Sequence, residues 1–148
     1  MSARPVIVVE DDPFLRIVGV VLDPDTSPER IAAFADFFAH DLPDFAGWLT
    51  RVRANAATIW PAQVRLVSSA EAFRENLAQA DAAVIESYPL GTAELAAAPR
   101  LKVVQKFGTI TNNIDLAACA ARGIPVITLR RRANIACAEH AFALMLML

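Results

Sequence analysis

The sequence predicts a doubly wound α/β fold, in which a parallel sheet carries helices on both faces. Short apolar runs rich in Val and Ile alternate with helical segments along the chain. The runs are apolar throughout and do not alternate between apolar and polar residues, which is typical of strands buried on both faces. With 148 residues, the chain is long enough for one domain with a substantial core.

Five strands are predicted. The first, at residues 6–9, is a β-branched run that ends at the acidic stretch Glu10-Asp11-Asp12. Each later run is likewise bounded by polar residues, Gly or Pro, which interrupt regular structure. These four strands are expected at residues 64–67, 82–85, 101–105 and 125–129.

Helices are predicted between the strands from their capping residues. Either Thr26 or Ser27 caps a helix, in the second case with Pro28 at the first helical position. Ser69 is expected to cap another helix. The remaining helical segments are expected around residues 48–52, at 92–98 and from Asn134 onward.

A loop that contains Gly108 lies between the fourth strand and the next helix. Asn112 or Asn113 is expected to cap that helix, with Asp115 in its first turn, and Gly123 is expected to end it. Backbone N–H groups of such a loop form a natural carboxylate site at the carboxyl edge of a parallel sheet. The alternative is a plain strand-to-helix turn with a permissive glycine.

The composition argues against several classes of function. A net charge of −2 and a pI of about 5.6 leave no basic excess to hold nucleic acid or a membrane surface. No signal peptide is recognisable, so we expect a cytoplasmic protein. Cys119 and Cys137 lie in apolar helical patterns, and we expect buried free thiols. There is no CxxC motif, and His40 and His140 lie far apart, so no metal site is predicted.

The end of the sequence is unusually apolar. Residues 141–148 are apolar without exception, and no helix stop signal follows them. The run is too short to span a bilayer. We therefore expect this helix to be buried, either against a continuation of the chain or in a homodimer.

Three stretches in the second half occur in a characteristic order. They are KFGTITNNIDL at residues 106–116, AARGIPV at 120–126 and NIACAEHAFALML at 134–146. In sequence and spacing they resemble the D-isomer-specific 2-hydroxyacid dehydrogenases, the family of phosphoglycerate dehydrogenase. Three positions depart from the family pattern. Ile110 stands where a second glycine is usual, Asn112 where Asp is usual, and Arg130-Arg131-Arg132 where a Thr-Pro or Ala-Pro step is usual.

The resemblance implies an enzyme that passes hydride between NAD (or NADP) and a small 2-oxo or D-2-hydroxy acid. It implies that residues 1–132 form a flavodoxin-like substrate-binding domain, and that residues 133–148 begin a long linking helix toward an NAD-binding domain. The family's glycine fingerprint and its catalytic Glu-His pair lie beyond that helix. The chain alone is therefore predicted to be inactive, with no catalytic residue and no bound cofactor.

The resemblance and the sheet edge together select the site residues. Asn134 resembles a position that approaches the nicotinamide end of the cofactor, although a simple helix cap explains it equally well. The residues expected to bind substrate follow the third and fourth strands, at the carboxyl edge of the sheet. They are Glu86, Ser87, Lys106, Gly108, Thr109 and Ile110.

Two other classes of protein stay open. Residues 6–16, VIVVEDDPFLR, look like the first strand of a response-regulator receiver domain, where acidic residues bind Mg²⁺ beside a phosphoaccepting Asp. Against this, the third strand ends in Glu86 where that Asp is expected, and the fifth strand lacks the Lys-Pro step. A non-enzymatic binding module is the third possibility.

Overall fold

The computed structural model describes residues 4–130 and 133–147, with side chains from residue 135 onward in the second range. Five parallel strands form one sheet in the order β2-β1-β3-β4-β5. This is the flavodoxin-like order of doubly wound folds, so the predicted fold class is confirmed. The strands are β1 (Val6–Glu10), β2 (Gln63–Val67), β3 (Ala82–Ile85), β4 (Val103–Lys106) and β5 (Val126–Thr128).

Helices connect the strands and cover the sheet. One of them, α1, was not predicted, because its β-branched sequence IVGVVL resembles a strand and no side chain caps it. A short 3-10 turn, Leu77–Gln79, extends the fourth helix. The helices are α1 (Ile17–Leu22), α2 (Pro28–Phe37), α3 (Phe45–Asn55), α4 (Ala70–Asn76), α5 (Thr92–Ala96), α6 (Leu116–Ala121) and α7 (Ala133–Leu146).

The core lies on both faces of β1. Val8 packs on one face with Phe73, and Val9 packs on the other with Leu15. Both valines are fully buried, which explains why this strand is apolar at every position before Glu10. By contrast, β2 lies at the edge of the sheet and carries the polar side chains of Gln63 and Arg65.

Most predicted helix caps are confirmed. The hydroxyl of Ser27 accepts a hydrogen bond from the Arg30 N–H, and that of Ser69 accepts one from Ala72. Gly123 adopts a φ of +65°, the left-handed conformation expected after a helix.

The predicted cap of α6 is wrong. Asp115, not Asn112 or Asn113, caps this helix, with its Oδ1 2.8 Å from the Ala118 N–H. Asn113 has another use, because its amide donates to the Tyr88 carbonyl of a neighbouring loop at 2.8 Å. The helix therefore begins two or three residues later than the sequence suggested.

The last helix, α7, begins at Ala133, one residue before the predicted start. Its side chains from residue 135 to residue 147 are exposed, among them Phe142 and Met145. Cys137 is consequently exposed and Cys119 buried, so only one of the two thiols is buried as predicted. Within the described residues, no helix has both the length and the apolar character needed to cross a membrane.

Candidate functional site

Loops from β1, β3 and β4 meet at the carboxyl edge of the sheet, and a buried carboxylate joins the first two. Glu10 is the last residue of β1 and is only 7% exposed. Its Oε2 accepts hydrogen bonds from the N–H groups of Glu86 at 2.7 Å, Ser87 at 2.8 Å and Tyr88 at 3.2 Å. Its Oε1 accepts a hydrogen bond from the Ser87 hydroxyl. One carboxylate thus collects four donors from the segment that follows β3.

These donors also set the charge state of Glu10. Burial raises the pKa of its carboxyl, but the hydrogen bonds from Ser87, Glu86 and Tyr88 outweigh that effect and bring the pKa below its usual value of 4.5. Glu10 is therefore ionised at neutral pH. Because it has no cationic partner among these contacts, its charge is stabilised by neutral N–H and O–H dipoles.

A buried ion pair joins the loops after β3 and β4. Lys106, the last residue of β4, is 5% exposed. Its Nζ lies 2.8 Å from Oε2 of Glu86 and also donates to the Glu86 carbonyl. The Glu86 side chain is about one-third exposed, so the pair reaches from the core to the surface of the sheet edge.

The loop after Lys106 turns at Gly108. Gly108 has a φ of 139°, a conformation that residues with a Cβ rarely adopt. Its N–H donates to the Lys106 carbonyl and its carbonyl accepts from the Leu129 N–H, both at 3.0 Å. Within the described part of the chain, the N–H groups of Thr109 and Ile110 have no acceptor, and both residues are exposed.

Asn113 holds the far end of this loop. Its amide nitrogen donates to the Tyr88 carbonyl at 2.8 Å, and its backbone carbonyl accepts from the Leu90 N–H at 2.9 Å. Its Oδ1 is buried and has no hydrogen-bond partner among the described atoms. The loop at residues 107–112 is therefore flanked by Lys106 and Asn113, whose side chains both contact residues 86–88, and it is also held at Gly108 by Leu129.

The predicted substrate-binding residues lie together. Glu86 and Ser87 both donate hydrogen bonds to Glu10. The side chain of Lys106, two residues before Gly108, contacts Glu86. Thr109 and Ile110 are the exposed tip of the same cluster. Asn134 lies in the first turn of α7, and its side chain is outside the described residues.

Sequence reasoning missed two residues of the cluster. Glu10 was interpreted only as part of an acidic stretch, and Asn113 only as a helix cap. A carboxylate that directly ends a fully apolar central strand is a usable signal, because a buried charge at a sheet edge requires nearby donors. Asn113 offered no such signal, since its partners lie 25 and 23 residues away at Tyr88 and Leu90.

The residues after β1 do not fit a dinucleotide. In doubly wound sheets the phosphates of such a ligand lie on a glycine-rich turn at a helix N-terminus. Here Glu10, Asp11 and Asp12 stand at that position, without a glycine, and Asp11 pairs with Arg16 at 2.6 Å. Three carboxylates repel a pyrophosphate, so the described chain offers NAD no cradle there.

Comparison with known proteins identifies the family. The profile of the "D-isomer specific 2-hydroxyacid dehydrogenase, catalytic domain" matches residues 48–144. The D-3-phosphoglycerate dehydrogenase of Mycobacterium leprae is 42% identical over 69 residues, which are 46% of this chain and 13% of that protein. D-3-phosphoglycerate dehydrogenase 2, chloroplastic, of Arabidopsis thaliana is 35% identical over 79 residues, which are 52% of this chain and 13% of that protein.

A solved structure agrees with the fold. The phosphoglycerate oxidoreductase of Vibrio cholerae matches with a TM-score of 0.54 and 20% identity, over 97% of this chain and 36% of that one. The chain thus spans only 13% of the length of the curated relatives it matches. Because the family profile covers about two thirds of its residues, the chain belongs to the D-isomer specific 2-hydroxyacid dehydrogenase family and matches its catalytic domain.

Proposed function

We propose that this chain is the substrate-binding part of an NAD-dependent dehydrogenase that interconverts a small 2-oxo acid and a D-2-hydroxy acid. Family membership supports this reaction class. The relatives named above are D-3-phosphoglycerate dehydrogenases, so the substrate is proposed to be an acid of that general kind. A cytoplasmic location stays a prediction from the sequence.

The observation that carries the proposal is the pair of N–H groups at Thr109 and Ile110. Within the described residues they have no acceptor, and they belong to exposed residues at the carboxyl ends of the strands, where ligands of doubly wound folds bind. A carboxylate oxygen accepts such N–H groups readily, and the bonds are charge-assisted. The N–H of Gly108 is not available, because it donates to Lys106; Gly108 supplies the turn.

Lys106, Glu86 and Ser87 are proposed to flank the same carboxylate site. The buried ammonium of Lys106 lies two residues before the turn and adds positive charge beneath it, although Glu86 neutralises much of that charge. The Ser87 hydroxyl is already engaged by Glu10, so any contact with substrate would use its oxygen as an acceptor.

We propose that the cofactor is held by elements that this chain does not contain. None of the five glycines belongs to a GxGxxG fingerprint, and the acidic turn after β1 does not fit a dinucleotide. In this proposal residues 1–132 bind the substrate, residues 133–148 begin the link to the NAD-binding part, and Asn134 approaches the nicotinamide. The chain alone would be inactive and would not bind NAD.

A homodimer through α7 is also proposed. Phe142, Met145 and Leu146 are all more than half exposed, and burying each such side chain contributes about 1.5–3 kcal/mol. We expect light scattering to give a dimer for this chain and a monomer when Phe142 and Met145 are both replaced by Ser. An unchanged monomer in both cases would contradict the proposed dimer.

The receiver-domain alternative loses its support. All three acidic residues at the end of β1 and just after it are engaged: Glu10 by residues 86–88, Asp11 by Arg16, and Asp12 by the Phe14 N–H at 2.8 Å. No group of three potential metal ligands is found among the described residues. A non-enzymatic binding module would use the same carboxylate site and differ only in showing no NAD-linked turnover.

Replacing Gly108 by Val tests the proposed carboxylate site. Val at a φ of 139° must change the turn and displace the N–H groups of Thr109 and Ile110. Losing one charge-assisted hydrogen bond of about 1.5–3 kcal/mol weakens binding or kcat/KM roughly ten- to a hundredfold. Pyruvate serves as the probe, titrated into the labelled chain by NMR, and kcat/KM is measured in the protein that carries the NAD-binding part.

Gly123 provides the matched control. It also requires a positive φ, and a Cβ there meets no atom within 4 Å, but it follows α6, away from the proposed site. Gly123→Val is expected to lower stability by about 1–2 kcal/mol without changing the dissociation constant of pyruvate. If Gly108→Val folds and binds pyruvate as tightly as the unmodified chain, the loop is only a turn.

A further inference from the structure

The segment after β3 depends on one side chain for its conformation. Its first three N–H groups, at Glu86, Ser87 and Tyr88, all donate to Oε2 of Glu10, 76 to 78 residues earlier in the chain. Three successive N–H groups that converge on one anion form a nest, a common carboxylate-binding arrangement. Here the anion is the carboxylate of Glu10, so the nest is already occupied and cannot bind a ligand.

The same segment holds both ends of the loop at Gly108. Lys106 reaches the carbonyl and the carboxylate of Glu86, and Asn113 reaches the carbonyl of Tyr88. Residues 107–112 between these anchors carry the unpaired N–H groups of Thr109 and Ile110. A shift of residues 86–88 would therefore disturb a side-chain contact at each end of this loop, whose middle is also held by Leu129 through the Gly108 carbonyl.

From this chain of contacts we propose that Glu10 is a positioning residue for the carboxylate site. It does not touch the substrate. It fixes residues 86–88, and through Lys106 and Asn113 these fix the directions of the Thr109 and Ile110 N–H groups. The importance for substrate binding rests on the proposed function of that loop, whereas the effect on loop conformation does not.

Two substitutions at Glu10 separate hydrogen bonding from charge. In Glu10→Gln the amide oxygen still accepts the three N–H groups, and the amide nitrogen donates to the Ser87 oxygen, so the geometry is retained. Glu10→Met has a similar length but no strong acceptor, and it releases all four donors. We expect Met to weaken pyruvate binding about tenfold or more, and Gln to change it less than about threefold.

A second readout does not depend on substrate. Glu10→Met should shift the backbone amide NMR signals of Thr109 and Ile110, whereas Glu10→Gln should leave them nearly in place. The control is Asp81→Asn, which alters an equally buried carboxylate at the opposite end of the strands, just before β3. That variant should lower the melting temperature without changing the Thr109 and Ile110 signals or the affinity for pyruvate, so a general loss of stability cannot imitate the effect.

The outcomes distinguish the two proposals. If the unmodified protein binds neither pyruvate nor another small 2-oxo acid, the proposed function fails, and the amide signals still decide the role of Glu10. If it binds pyruvate and Glu10→Met does so equally well with unshifted amides, the positioning role is wrong. If Glu10→Met does not fold, Glu10→Asp replaces it, because its carboxylate is one methylene shorter and cannot keep all four hydrogen bonds; unshifted Thr109 and Ile110 amides in that variant overturn the proposal.

Discussion

Two buried carboxylates, one at the C-terminal end of β1 and one at the N-terminal end of β3, show how different roles can follow from similar surroundings. Glu10 ends β1 and Asp81 precedes β3, and both residues are 7% exposed. For each, burial raises the pKa of the carboxyl, hydrogen bonds outweigh that effect, and the pKa lies below its usual value. Burial and charge state therefore do not distinguish them.

Their partners do. Asp81 accepts the Val6 N–H at 3.0 Å and pairs with Arg100 and Lys102, both at 3.1 Å. Those two cations are about half and three-quarters exposed, so water can solvate them if the carboxylate is lost. Glu10 instead holds neutral backbone N–H groups of a connecting segment. Asp81 ties strands together, whereas Glu10 accepts hydrogen bonds from residues 86–88, which lie outside the helices and strands.

The largest expected difference is in stability. Glu10→Met leaves three N–H groups and a hydroxyl without their acceptor, and we expect it to lower the free energy of unfolding by about 3 kcal/mol. Asp81→Leu leaves one backbone N–H unpaired and two solvated cations, for which about 1–2 kcal/mol is expected. Urea denaturation of both variants measures the difference.

Two further variants check the assignment at Asp81. Arg100→Ala and Lys102→Ala each remove one exposed cation, and we expect each to cost at most about 1 kcal/mol. A loss at Asp81→Leu that equals or exceeds the loss at Glu10→Met would contradict the distinction between the two carboxylates.

The contrast also marks what the sequence could predict. The central strands and the caps Ser27, Ser69 and Gly123 were found because their signals are local: an apolar run, a hydroxyl before a helix, a glycine after one. The cluster at Glu86, Lys106 and Gly108 was found because a parallel sheet brings the ends of its strands to one edge. Such inferences need only the fold class.

Features that depend on long-range contacts, such as helix α1 and the role of Glu10, could not be predicted from the sequence. Helix α1 is helical because Val20 packs on Phe45, and because the Arg53 guanidinium donates to the carbonyls of Val20 and Val21 at its end. Those partners are more than 20 residues away, so local propensity favoured a strand. Glu10 was missed for the same reason, since its donors come beside it only when β1 and β3 are neighbours.

A smaller effect, the dependence of stability on pH, tests both carboxylates at once. Because each pKa is lower in the folded protein than its usual value, 4.5 for Glu10 and 3.8 for Asp81, ionisation of each group favours the folded state. This contribution is fully present above the usual value and is lost as the pH falls through the folded pKa. We therefore expect the free energy of unfolding to decline below about pH 4.5, with Glu10 responding first as the pH is lowered.

Urea denaturation between pH 3 and pH 7 measures this decline. Glu10→Gln and Asp81→Asn should each make the decline shallower, because neither amide has a proton to bind in this range. Asp11 also has a lowered pKa through its hydrogen bond with Arg16, and because these side chains are 25% and 43% exposed, the pair adds a smaller contribution to the same decline. A Glu10→Gln variant whose stability falls with pH as steeply as that of the unmodified protein would mean that the four donors do not favour the ionised carboxylate. The hydrogen bonds from residues 86–88 to Glu10 would then be too weak to fix that segment. The distinction drawn between Glu10 and Asp81 would be wrong.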